Sequence, residues 1–357
     1  MSLAEPQSNR ERDLPPGGSA MSQSHRRIAA LVLMAVAAIL LQFGTTGQHL
    51  SPAAATAPRK VLWIVMENRS YGAVVGDTTA APYINGTLLG RGGNATNMHA
   101  ETHPSLPNYL AMTVGSTYGI ADDGNPTAHP LIAHSIFSQA DPAWRAYQET
   151  MPSNCYRRNT SFAHGTQYVV RHNPVTYLVA APISAPAADC TVNDEPMGTA
   201  TLGHLASDLS AGTLPSFSFV TPGLCHDMHT APLGLACNPA NPVTAGDHWL
   251  AQLMPKIFAS PDYVSGRLVV FLTWDEGNGG AQIKGMACLS VQYLNDTGCH
   301  IPTLVFSTST RGGSSSATFF SHFSMLKATE ELLGKPTNEL GVTNVSSSTS
   351  MRAAFGL

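Results

Sequence analysis

The sequence predicts an α/β fold: a mostly parallel central sheet with helices on both faces. Three observations carry that expectation. Short unbroken apolar runs rich in β-branched residues recur along the chain, as strands buried on both faces require. Segments of helical spacing separate them. Hydrophobic residues make up 43% of the chain and charged residues 12%, enough apolar surface to cover both faces of a sheet.

Taken in order, the chain opens with a polar, Pro/Gly-rich stretch over residues 1–20, after which Met21 is a second candidate start. Arg26 and Arg27 then precede an apolar run from Ile28 to Phe43, followed by the small-residue stretch Ser51-Pro52-Ala53-Ala54-Ala55-Thr56-Ala57. Positive charge, apolar helix and small residues is the order of an export signal. The run is somewhat short for a membrane span, which needs about 20 residues. A cleaved signal and an uncleaved N-terminal anchor both remain open. Residues 1–57 are thus expected to be leader, 58–345 the folded domain, and 346–357 a loosely ordered tail.

The first strand is expected at Lys60-Val61-Leu62-Trp63-Ile64-Val65-Met66, with others at 217–220, 268–273 and 302–306. Helical spacing marks 105–113, 135–139, 201–210, 247–258 and 322–333. The Pro-rich stretch 174–198 reads as one long loop, and no internal repeat is evident. The net charge of −4, without a run of Lys or Arg, excludes a nucleic-acid partner. Membrane contact is expected only through the N-terminal segment or a lipid substrate. All six cysteines follow residue 150, and an even count in an exported chain reads as disulfides. Fifteen connectivities are possible. Nearest-neighbour pairing would join Cys155 to Cys190, Cys225 to Cys237 and Cys288 to Cys299.

In open α/β sheets ligands bind beyond the carboxyl ends of the strands. Two strand ends run directly into acids: Glu67-Asn68 after the first, and Asp275-Glu276 after the strand at 268–274. Carboxylates there are either solvated turn residues or oxygen ligands for a divalent cation, since buried charge demands compensation. Cys225-His226-Asp227-Met228-His229 follows another strand, and Asp and His in close succession suit a metal. His103 stands just before one helix and His322 opens another. Ser135 begins an apolar helical stretch, where a hydroxyl serves as a cap or as a nucleophile at the positive end of a helix.

At these residues the chain resembles the bacterial phosphoesterase family that includes phosphatidylcholine-type phospholipases C and acid phosphatases. The likeness lies in Met-Glu-Asn-Arg-Ser-Tyr at 66–71, His-Pro-Ser-Leu-Pro-Asn-Tyr-Leu at 103–110, and Ser135-Ile136-Phe137 with Trp144 to Glu149. It continues through His172-Asn173-Pro174, Asp227-Met228-His229, Gly246 to Leu250, Thr273 to Gly277, and His322 to Leu326. Gly72 stands where the family usually has Asp. The resemblance implies an alkaline-phosphatase-like three-layer α/β/α sandwich and hydrolysis of phosphate esters with a divalent metal ion. Glu67, Asn68, Asp275 and Glu276 would hold the metal. Asp227, His229 and His322 would serve a second ion, Ser135 would be the nucleophile of a phospho-enzyme, and Asn68 and His103 would contact the phosphoryl group. A protonated His103 would favour an acid optimum.

The shorter length and the lack of an evident C-terminal β-domain favour an acid phosphatase over a phospholipase C. A formylglycine sulfatase is disfavoured because no Cys precedes residue 155. A non-catalytic exported phosphate- or metal-binding protein is the remaining alternative.

Overall fold

The computed structural model describes residues 59–160, 167–180, 187, 189–229, 241–338, 340 and 343–357. The leader, the apolar run at 28–43 and Cys237 lie outside the described residues. Among the described residues no helix is long and apolar enough to cross a membrane.

The strands are β1 (Lys60–Met66), β2 (Gly93–Ala95), β3 (Met98–His99), β4 (Trp144–Gln148), β5 (Asp194–Pro196), β6 (Phe217–Thr221), β7 (Leu268–Trp274), β8 (His300–Ile301), β9 (Thr303–Phe306), β10 (Ser314–Ser316) and β11 (Phe320–Ser321). Eight form one sheet in the order β10-β2-β9-β7-β1-β6-β4-β5, and β11-β3-β8 form a small second one. Within the large sheet every pairing is parallel except the two made by β9. The three longest apolar runs became its centre: β6 and β7 are buried throughout, and β1 everywhere but at Lys60. That is the place for strands without polar alternation.

Helices α1 (Ser105–Val114), α2 (Ile136–Ala140), α3 (His204–Ala211), α4 (Pro242–Ala259) and α5 (His322–Leu332) cover the two faces. Alternate residues of β1 point to opposite sides. Trp63 points toward α5, where its indole N–H donates to Thr329 Oγ1 at 3.0 Å. Phe217 and Phe219 share that side, with Phe137 of α2 at 5.5 and 5.9 Å and Tyr109 of α1 at 6.4 Å from Phe219. The register puts Leu62 beside Val270 and Val270 beside Phe306, so Phe306 faces the other way. There it meets Phe258 of α4 at 5.5 Å. This is the three-layer α/β/α arrangement that the alternating pattern predicts.

Two expectations are corrected. Helix α4 begins at Pro242, not near Asp247, because Asn241 caps it by accepting from Val243 N at 3.0 Å with proline at the first position. Asp247 instead turns sideways and caps the single π turn Ile84–Leu88, accepting from Tyr83 N at 2.9 Å and Ile84 N at 2.8 Å. The C-terminal stretch is docked rather than loose: Phe355 lies 6.1 Å from Phe320 in a buried setting, and its carbonyl accepts from Thr310 Oγ1 at 2.9 Å. Among the cysteines, Cys155–Cys190 and Cys288–Cys299 pair as nearest neighbours, and Cys225 is also disulfide-bonded.

Candidate active site

The site grows from the register of the central strands. β1 and β7 run parallel with Met66 opposite Trp274, so the next residues, Glu67 and Asp275, emerge side by side at the strand tips. Asn68 then adopts a left-handed conformation (φ 48°), which Asn tolerates better than most residues. The turn aims its backbone N–H at Asp275 Oδ1 (2.8 Å) and its side-chain amide at Glu276 Oε1 (2.9 Å). The other oxygen of Glu276 meets His103 Nδ1 at 2.7 Å.

The loop after β6 delivers Asp227, whose Oδ1 accepts from His229 N at 2.8 Å across the left-handed Met228 (φ 77°). Its Oδ2 lies 3.9 Å from His172 Nδ1, and His172 Nε2 lies 3.0 Å from Glu67 Oε1. The His172 ring is held flat against Tyr109, 5.4 Å away at 13°. From the opposite side α1 presents its first residue: Ser105 Oγ donates to Glu67 Oε2 at 3.2 Å and also contacts the Asp275 carboxyl.

Glu67, Asp227 and Asp275 are fully buried, as is His172 within 3%. Burial pushes all these carboxyls upward. Glu67 adds to the rise at Asp227 and Asp275, while His229 and Arg171 restrain Glu67 itself. Glu276 is raised well above the ordinary range by burial and then by Asp275. Burial drives His172 far down, assisted by Arg171, and lowers His103 against the pull of Asp296. Burial thus opposes the cationic form of His103 on which the expected acid optimum rests.

The cluster is incomplete as a set of protein contacts. Glu67 Oε1, Asp227 Oδ2, Asp275 Oδ2 and His172 Nε2 are buried without a well-formed hydrogen bond. Such groups are costly unless something compensates them. A divalent cation fits them: oxygen donors with an imidazole, gathered where carboxylates repel one another. These carboxylates are spread more widely than a closed triad. Among the described residues the tight three-ligand sets are His103 with Cys288 and Cys299, and Cys155 and Cys190 with Asp194. In both, the sulfurs are joined as disulfides.

Of the residues picked from sequence, Glu67, Asn68, Asp227, Asp275, Glu276, His229 and His103 come together. Glu276 has each oxygen engaged, by Asn68 and by His103, so it holds those two neighbours in place. His322 also offers no free ligand atom: Nδ1 meets Glu101 Oε2 at 2.5 Å, and Nε2 meets the Trp274 carbonyl at 2.8 Å. Burial is the largest influence and opposes its charged form, but Glu101, the Trp274 carbonyl and Asp275 together outweigh it and the net shift is upward. It braces the end of β7 instead of facing the open donors. Ser135 is not brought to the cluster. Its hydroxyl accepts from Ser138 N at 3.2 Å, and its own N–H donates to Ser138 Oγ at 2.9 Å, a reciprocal cap on a five-residue helix. Ser105, Tyr109 and His172 are the additions. All three lie in the segments that carry the family resemblance, and Ser105 follows His103-Pro104 at a helix start, a signal as good as that at Ser135.

The chain is 25% identical over 336 residues to a phosphatidylinositol-3-phosphatase of Mycobacterium tuberculosis, covering 91% of this chain and 95% of that protein. It is 28% identical over 187 residues to a phosphate-repressible acid phosphatase of Penicillium chrysogenum and 26% identical over 259 residues to an acid phosphatase of Aspergillus fumigatus. Those matches cover 51% and 70% of this chain but only 40% and 50% of the fungal proteins. Among solved structures, a protein in the alkaline phosphatase superfamily from Vibrio parahaemolyticus shares the fold with a TM-score of 0.50 at 15% identity, covering 84% of this chain and 72% of that one. A lipoteichoic acid synthase from Listeria monocytogenes does so with a TM-score of 0.51 at 10% identity, covering 82% and 76%. The Phosphoesterase family model matches residues 87–334, well over half of the chain, and the chain therefore belongs to that family, as a hydrolase acting on phosphoric ester bonds.

Proposed function

We propose that this is an exported, metal-dependent phosphatase of the acid phosphatase type in which Ser105 attacks phosphorus. One observation carries the reading: Ser105 Oγ, at the first position of α1, donates to Glu67 at the tip of β1, which stands beside Asp275 at the tip of β7. Glu67, Asp227 and Asp275, with His172 and His229 beside them, would hold the divalent cation. Bound there, it would neutralise the carboxylates and lower the pKa of a nearby hydroxyl.

The chain's own residues account for the rest. Glu67 orients the serine hydroxyl, and a nucleophile at a helix N-terminus is stabilised as its negative charge develops. Attack forms the Ser105 Oγ–P bond as the P–O bond to the ester oxygen breaks; the serine proton passes to Glu67, to which Ser105 donates, and is delivered through solvent to the departing alcohol. Water then cleaves the phosphoserine and restores the hydroxyl. Glu276 clamps His103 and Asn68, which would contact the phosphoryl oxygens. The bonded cysteines and the signal-like leader support export, because disulfides persist in oxidising compartments.

Purified protein with a Ser105→Ala variant, assayed on p-nitrophenyl phosphate with and without chelator, tests this. Loss of about three orders of magnitude in Ser105→Ala, and loss in chelator restored by added divalent metal, are expected. Full activity in Ser105→Ala would refute the assignment.

A further inference from the structure

We infer that Arg171, held by Asp123 over the start of α1, is a phosphate-binding residue that makes the site selective for phosphate monoesters over diesters. The inference rests on Ser105 as the attacking group.

The start of α1 is poorer in donors than a helix N-terminus ordinarily is. Pro104 and Pro107 have no N–H. The N–H of Leu106 donates to Asp123 Oδ1 at 3.0 Å. A carboxylate therefore occupies ground that a phosphoryl group would otherwise use. An anionic substrate brought to Ser105 would meet Asp123 and the buried acids at the strand tips, so a cation must sit between them.

Arg171 is so placed. It adjoins His172, whose Nε2 is 3.0 Å from Glu67. Its Nε lies 3.7 Å from Asp123 Oδ2, close enough to be held but too far for a hydrogen bond, and that nitrogen is buried without a hydrogen-bond partner. The side chain is one quarter exposed, as a residue at the mouth of a site must be. Its charge reaches Glu67, Asp227, Glu276 and His172 alike. Lys60, Arg145, Arg267 and Arg352, by contrast, pair with acids outside this cluster.

A guanidinium fork suits two non-bridging oxygens at once, and with one further oxygen turned to the strand tips only a monoester has two to offer it. A monoester dianion presents an extra charged oxygen that a diester has esterified. Arg171 therefore favours the monoester, while the Ser105 chemistry itself serves both.

The test compares wild type, Arg171→Ala and Arg171→Lys on p-nitrophenyl phosphate and bis-p-nitrophenyl phosphate, with added divalent cation. Binding of inorganic phosphate is measured in parallel by calorimetry. Removing one charge-assisted contact is expected to lower monoester kcat/KM about 10- to 150-fold and to weaken phosphate binding in step. Diester kcat/KM should change by less than about 3-fold, and Arg171→Lys should recover part of the loss, keeping charge without the fork. Equal losses on both esters, or unaltered phosphate affinity, would overturn the assignment. Should Arg171→Ala fail to fold, the lysine variant decides by the same comparison. The calorimetric arm reads Arg171 even if Ser105→Ala proves active, so failure of the nucleophile and failure of this site are distinguishable.

Discussion

Glu67 and Asp275 stand shoulder to shoulder because the ladder beneath them pairs every residue of β1 with one of β7, ending at Met66 and Trp274. Adjacent strands lie about 4.8 Å apart, so two acids placed one residue past that ladder cannot avoid each other. Burial raises both above the ordinary carboxyl range, as it does Asp227 and Glu276, and the charge of Glu67 adds to the rise at Asp275.

The consequence is a sign that can be measured. In chelator the folded protein keeps protons on these carboxyls at pH values where the unfolded chain has released them. Stability should then fall as pH rises from the ordinary carboxyl range toward neutrality. A divalent cation binds the charged carboxylates and only the folded state, so it should raise the melting temperature most at neutral pH and least near pH 4. Thermal unfolding in EDTA and in excess divalent metal, from pH 4 to pH 8, checks this. A melting temperature in EDTA that climbs with pH would contradict it.

Ser105 and Ser135 give a second contrast. Ser105 touches Glu67, whereas the Ser135 hydroxyl is confined to its own cap. Ser135→Ala should therefore cost about 1 kcal/mol of stability, the ordinary worth of an N-cap, and leave kcat/KM within about 2-fold. Ser105→Ala should do the reverse: little change in unfolding, near-complete loss of turnover. Parallel denaturant titrations and steady-state assays separate the two.

How far the sequence made this legible follows from the same residues. The acids after β1 and β7 were visible because each follows a run buried on both faces, where an unpaired charge is anomalous. β1, β6, β7 and β9 were visible for the same apolar runs. The two- and three-residue strands β2, β3, β5, β8, β10 and β11 are too short to generate alternation, and β4 carries Arg145 and Gln148 within five residues. The choice between two serines at helix starts was not legible, because it depends on which helix points at the strand tips. Likewise His322 reads as a ligand by composition. Only the fold shows that Glu101 and the Trp274 carbonyl take both its nitrogens.

That bracing role yields a third prediction. His322→Ala removes the partner of a buried carboxylate and the support of the β7 tip. Leaving Glu101 buried and unpaired should cost about 3–5 kcal/mol, a melting-temperature loss of about 6–15 °C for a chain of this size. Metal content of the folded fraction, measured by elemental analysis, should persist, because His322 lends no free nitrogen to the cluster. Loss of metal with unchanged stability would instead make it a ligand.

Far from the strand tips, Asp194 provides a pH effect independent of any metal. It is fully buried beside the Cys155–Cys190 disulfide, with one oxygen accepting from Asn173 Nδ2 at 2.8 Å and the other unsatisfied. Burial pushes its carboxyl up to about 8, against the bond from Asn173, which lowers it. The folded state thus holds a proton that the unfolded chain gives up near pH 4. Its contribution to stability is fully present below that pH, drains away as pH rises, and levels off above about 8. Asp194→Asn keeps an acceptor for Asn173 and removes the ionisation. The variant should match wild type near pH 4 and gain on it steadily to pH 8, by a few kcal/mol in all. Urea titrations at pH 4, 6, 8 and 9 measure that difference, and a constant offset across the series would show that Asp194 does not carry the proton.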